Sequence, residues 1–197
     1  MKLVCIGDSL TTGYGVFTEN SWIYKLKDAL KIEIINKGVN GDTTAGMLSR
    51  SFSDVVGLKP NFVFIMGGCN DIMCLHPLKN IEDNFSELVR EAVKYSIVPI
   101  AGIEPPVIGS LASIHWANDL NYTEVNNIQQ QYRNWLIDYC SQNRIEYIDF
   151  FELFSEELKY TEPEKLFIDG IHPSPLGHSI MADMAVSKML SILARIR

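Results

Sequence analysis

Residues 1–15 read MKLVCIGDSLTTGYG. Four apolar residues, Leu3 to Ile6, run into Gly7-Asp8-Ser9 and then a tract rich in Thr and Gly. A continuous apolar run of this length predicts a strand over Lys2–Ile6 buried on both faces, the habit of parallel sheets. Further runs of the same kind occur at Glu33–Asn36, Asn61–Met66, Val98–Ile103 and Glu146–Phe150. Between them the apolar period changes to that of helices. Trp22 to Leu30 makes a short helix. Ile81, Phe85, Leu88, Val89 and Ala92 share the face of another, and Val125, Ile128, Tyr132, Trp135, Leu136 and Tyr139 that of a third. Met181, Ala185, Met189, Ile192 and Ile196 line the last, for which Ser174-Pro175 supplies an N-cap and first position. Five strands alternating with helices predict a three-layer α/β/α fold. No repeat or linker divides the chain, so residues 1–197 are expected to form one domain.

Composition narrows the function. The net charge is −7, from 24 acidic and 17 basic residues, and no Lys/Arg cluster offers the basic face a nucleic-acid binder needs. The apolar stretch behind Met1-Lys2 is far shorter than a signal-peptide core, and no run approaches a membrane span. Cys5, Cys69, Cys74 and Cys140 are scattered, with Cys5 and Cys140 inside apolar patterns, which predicts a reduced, cytoplasmic protein. Cys69, Cys74 and His76 form a C-x4-C-x-H spacing, but it lacks the paired spacing and second ligand pair of a zinc site. No metal or other cofactor is expected.

In sheets of this kind, sites form beyond the carboxyl ends of the strands. Gly7-Asp8-Ser9 follows the first, Asn40-Gly41-Asp42 the second, Gly67-Gly68-Cys69-Asn70-Asp71 the third, and Asp169-Gly170-Ile171-His172-Pro173 precedes the last helix. Singly, each could be a turn or a cap. Together they supply the parts of one reaction. Ser9, at the end of its strand, is a nucleophile if a base lies in reach. His172 can be that base, since an unperturbed histidine titrates near 6.5. Asp169 can hold the imidazole and stabilise its protonated form. The backbone N–H groups of Ser9 and Gly41 and the amide of Asn70 can serve an oxyanion. Asp8 and Asp71 are expected to brace their loops by hydrogen bonds, and His76, His115 and His178 to be solvated or packing residues.

These motifs resemble the GDSL, or SGNH, hydrolases: GDSLT at Gly7–Thr11, Gly41 in NGDTT, GCND at Gly68–Asp71 and DGIHP at Asp169–Pro173, all in that family's order. The resemblance implies a flavodoxin-like five-stranded parallel sheet, order 2-1-3-4-5, and a metal-free acyl-enzyme mechanism. It assigns Ser9, Asp169 and His172 as the triad and Ser9, Gly41 and Asn70 as the oxyanion hole. The substrate it implies is a small-molecule ester, without a choice among sugar acetyl esters, aryl esters, thioesters and lysophospholipids. The expected cytoplasmic placement and the lack of a long apolar insertion make that choice. Small soluble or sugar acetyl esters lead, with lysophospholipid or thioester hydrolysis on longer chains as the alternative. Two other classes compete: a metal-dependent phosphoesterase using Asp8, Asn70, Asp169 and His172 as ligands, and a binding module without turnover. The irregular segment from Glu104-Pro105-Pro106 to Asn121 reads as a loop, in which Ile114 and Trp116 are candidates for an apolar substrate wall.

Overall fold

A computed structural model describes residues 1–196. Its five strands are β1 (Lys2–Gly7), β2 (Glu33–Gly38), β3 (Phe62–Met66), β4 (Val98–Ile103) and β5 (Glu146–Asp149). They form one all-parallel sheet in the order β2-β1-β3-β4-β5. The helices are α1 (Ser9–Thr12), α2 (Trp22–Leu30), α3 (Thr44–Asp54), α4 (Cys69–Met73), α5 (Leu78–Lys94), α6 (Gly109–His115), α7 (Tyr122–Asn143), α8 (Phe150–Glu157), α9 (Pro163–Leu166) and α10 (Pro175–Ile196).

The alternation of side chains along each strand divides the core in two. Val4, Ile6, Val63, Ile65 and Ala101 face one layer, which buries Met47 of α3, Ile81 and Phe85 of α5, and Leu136 of α7. Leu3, Cys5, Phe62, Phe64 and Ile148 face the other, against Trp22 and Leu26 of α2 and Met181, Ala185 and Met189 of α10. Each fully buried Leu, Ile or Phe side chain contributes about 1.5–3 kcal/mol, so two such layers stabilise the sheet from both sides. The three-layer arrangement and the expected strand order are both present.

The helical faces read from the sequence are buried in α5 and α10, and buried or partly buried in α7. The side chain of Ile196 lies outside the described residues. Ser174 caps α10, its Oγ accepting from Gly177 N at 3.2 Å. Four strand boundaries differ from expectation. β3 starts at Phe62 rather than Asn61. β1 and β2 run on to Gly7 and Gly38. β5 stops at Asp149, because its carboxylate accepts from Glu152 N and starts α8 at Phe150. The segment after β4 is not loop throughout, since residues 109–115 form α6. No helix among the described residues is long and apolar enough to cross a membrane.

Candidate active site

The first turn after β1 sets the position of Ser9. Asp8 caps α1, its Oδ1 accepting from Leu10 N at 2.9 Å, and the helix closes at Gly13, whose N–H donates to Ser9 O at 3.0 Å. Ser9 is therefore the first residue of a helix rather than the last of a strand, and its N–H belongs to the unsatisfied set at a helix start. Among the described residues neither Ser9 N–H nor Gly41 N–H donates to a protein acceptor. Gly41 holds φ +73, the left-handed region that glycine enters without strain.

His172 reaches the same rim from the other end of the chain. The loop between α9 and α10 closes on itself through Ile168 N to His172 O at 2.9 Å and Ser174 N to Leu166 O at 2.8 Å. Gly170 makes this possible with φ +89, and a Cβ there would meet Ile108 O at 2.6 Å and Ala112 N at 2.5 Å. Its carbonyl in turn accepts from Ile108 N at 2.7 Å, tying the start of α6 to the histidine loop.

His172 Nε2 lies 2.9 Å from Ser9 Oγ, and His172 Nδ1 lies 2.7 Å from Asp169 Oδ2. Asp169 Oδ1 accepts from Ile171 N at 3.0 Å and His172 N at 2.8 Å. Burial opposes ionisation of Asp169, but the His172 side chain and these two N–H groups outweigh it and hold its pKa at about 2.

Asn70 sits in the first turn of α4. Its Nδ2 donates to Asp8 Oδ2 at 2.8 Å and to Asp42 O at 3.0 Å, so its amide plane is fixed and both N–H groups have partners. Asp71 Oδ2 accepts from Thr44 N and its Oδ1 from Thr44 Oγ1, each at 2.8 Å, so Asp8 and Asp71 both brace loops. A cavity of about 290 Å³ opens above Ser9, lined also by Tyr14, Asn40, Gly41, Asn70, Met73, Trp116, Ile171 and His172. The rings of Tyr14 and Trp116 lie 4.5 and 5.4 Å from that of His172.

The structure thus gathers Ser9, Gly41, Asn70, Asp169, His172 and Trp116 at one site. It does not bring Ile114 there. Ile114 is 75% exposed and does not line the cavity. It stands two residues from the buried Ala112 on α6, which turns it to the opposite face of the helix. Trp116 escapes that fate because it lies beyond the last helical residue. Tyr14 and Met73 were not foreseen. An aromatic between two glycines, five residues after the serine, was the signal for Tyr14.

Among the other histidines, His178 is buried and its Nδ1 accepts from Trp22 N at 3.4 Å. Burial, then the charges of His172 and Lys25, push its pKa down to about 4. His76 and His115 are exposed. Cys69 is buried while Cys74 and His76 face solvent, and no group of three His, Cys, Asp or Glu among the described residues is arranged to hold a metal ion.

A parallel α/β sheet with Ser, His and Asp in one hydrogen-bonded row at its carboxyl rim defines a hydrolase of the serine type. The chain belongs to the GDSL-like lipase/acylhydrolase family, whose model matches residues 5–180. It is a carboxylic ester hydrolase of that family. The acetylxylan esterase of Geobacillus stearothermophilus is 28% identical over 92% of this chain and 90% of its own. The arylesterase of Vibrio mimicus is 27% identical over 98% and 90%. A G-D-S-L family protein from Desulfitobacterium hafniense has a solved structure that superposes with a TM-score of 0.81 at 29% identity, covering 95% of this chain and 98% of that one.

Proposed function

We propose that the enzyme hydrolyses small soluble esters of short acyl groups, acetylated sugars foremost, through an acyl-enzyme on Ser9. The observation that carries this reading is the Ser9–His172–Asp169 row, at 2.9 and 2.7 Å, opening into the cavity of about 290 Å³. That volume lies just below the usual range for ligand pockets, roughly 300–1,000 Å³, and favours short acyl groups over long chains. The relatives named for acetylxylan and aryl esters point the same way.

In the first half-reaction Ser9 Oγ attacks the ester carbonyl while His172 Nε2 takes its proton. Asp169 holds the resulting imidazolium through Nδ1–H. The carbonyl oxygen, now an oxyanion, is met by the free N–H groups of Ser9 and Gly41. It also shares the Asn70 N–H that rests on the Asp42 carbonyl. An oxyanion is a stronger acceptor than a carbonyl, so this third bond forms chiefly in the transition state. Collapse expels the alcohol, protonated by His172 Nε2–H. Water, deprotonated by the same nitrogen, then releases the acid and Ser9.

The test is a mutant cycle on an acetyl ester. Ser9→Ala and His172→Ala should each lower kcat by several orders of magnitude, and the double variant little further, because the two act as a unit. Losses that multiply in the double variant would defeat the assignment.

A further inference from the structure

The carboxyls of Glu104 and Asp8 form a pair beside Asn70 and take no part in the steps above. Glu104 directly follows β4 and is only 6% exposed. Its Oε2 accepts from Cys69 N, the residue before Asn70, at 2.7 Å. Its Oε1 is buried with no donor among the described residues. The carboxyl lies within hydrogen-bonding reach of that of Asp8, which is 1% exposed.

Two buried carboxyls in contact cannot both ionise, and the pair holds one proton between them. That proton provides the donor the Glu104–Asp8 contact requires. Its place follows from the surroundings. Burial, then the charge of Asp8, push Glu104 well above the usual carboxylate range, and Asp71 on α4 adds to this. Asp8 is raised too, by burial and by Asp42, but its bonds from Glu104 and Leu10 N and the proximity of His172 favour its anion. The other titratable groups facing the pair, the Cys69 thiol and the Tyr132 phenol of α7, are themselves pushed up by burial and stay neutral. Asp42 is paired with Arg50 at 2.8 Å.

We propose that Glu104 is a positioning residue for the oxyanion hole: as a neutral acid it donates to Asp8 and thereby fixes both Asn70 and the turn that carries Ser9. Asp8 Oδ2 takes the Asn70 amide at 2.8 Å and Asp8 Oδ1 the Leu10 N–H at 2.9 Å. Cys69 N–H anchors the other side of Asn70 on Glu104 itself. When pH rises enough to remove the shared proton, two negative charges meet and Asp8 is driven from this position. This rests on the reading of Asn70 as an oxyanion donor.

Three variants and one spectrum test it. In Glu104→Gln the side chain accepts from Cys69 N and donates to Asp8 but cannot titrate. It should keep kcat within about threefold of wild type at neutral pH and lack the alkaline fall in kcat expected of wild type. Glu104→Leu keeps neither bond and should lower kcat by about 10- to 100-fold with a smaller change in KM. Infrared spectra at neutral pH should show a protonated carboxyl band in the wild type that Glu104→Gln lacks, whatever the turnover. Wild-type kcat in Glu104→Leu, an unchanged alkaline fall in Glu104→Gln, or absence of the band would overturn the proposal. Asn70→Ala, measured alongside, separates the two readings: undiminished kcat there would sink the oxyanion assignment, while the band reports the shared proton independently.

Discussion

Replacing Asp169 by Asn changes one atom's chemistry and keeps the shape, and the structure dictates which way the new amide must face. Asp169 Oδ1 receives two backbone N–H groups, from Ile171 and His172, at 3.0 and 2.8 Å. An NH2 group cannot occupy that place without opposing two donors, so in Asp169→Asn the amide oxygen stays there and the NH2 takes the Oδ2 position, 2.7 Å from His172 Nδ1. It then donates to Nδ1, which must become the unprotonated nitrogen. Nε2 carries the proton and points it at Ser9 Oγ, across the 2.9 Å where it should accept. Losing the correct tautomer in a serine triad lowers kcat by about 10⁴, or about 5.4 kcal/mol of barrier. The assay is kcat on an acetyl ester at neutral pH, normalised to folded enzyme, with nitrogen NMR of the imidazole to read the tautomer. In the wild type Asp169, held at about 2, stays ionised across that range. A loss below tenfold, or a variant His172 still protonated at Nδ1, would refute the reasoning.

Two further outcomes follow from the surroundings of the site. His178 is neutral in the fold, with its pKa at about 4, while the unfolded chain binds the proton near 6.5. Stability should therefore fall as pH drops from about 6.5 to about 4, by up to roughly 3 kcal/mol, and His178→Gln should flatten that slope in urea unfolding; an unchanged slope would show that another group governs it. Trp116→Ala removes one aromatic wall beside His172 and should shift the kcat/KM ratio between short and longer acyl esters by about tenfold, the equivalent of about 1.4 kcal/mol of differential contact. Ile114→Ala, on the exposed face of α6, is the control that should leave the profile unchanged, and the same profile in both variants would mean Trp116 only anchors its loop.

What the sequence reveals depends on how far apart the cooperating residues lie. β3 is legible because all five of its residues are apolar and buried, and α5 because Ile81, Phe85, Leu88, Val89 and Ala92 keep helical spacing over its length. α3 is not legible because its buried face is Thr44, Met47 and Ser51, two hydroxyls to one apolar side chain, so the period is present but not in hydrophobicity. The Thr43 side chain caps that helix by accepting from Gly46 N, and a run of Thr, Ser and Gly reads as loop until the cap is seen. The same division runs through the site. Ser9, Gly41, Asn70, Asp169 and His172 stand in short local motifs, since each must leave a strand or enter a helix at the rim. Glu104 has no such motif, and Tyr14 has only the glycines on either side of it. Glu104 matters through Asp8 and Cys69, 96 and 35 positions away, and Tyr14 through a ring brought from 172. A carboxyl placed directly after a buried strand, at the end where the chemistry sits, was nevertheless visible as a charge that burial would have to neutralise. Glu104 has one N–H donor, from Cys69, and its other oxygen meets only a second carboxyl; a shared proton is what can hold that pair together, and the precision of the proposed oxyanion hole then depends on a residue that never meets the substrate.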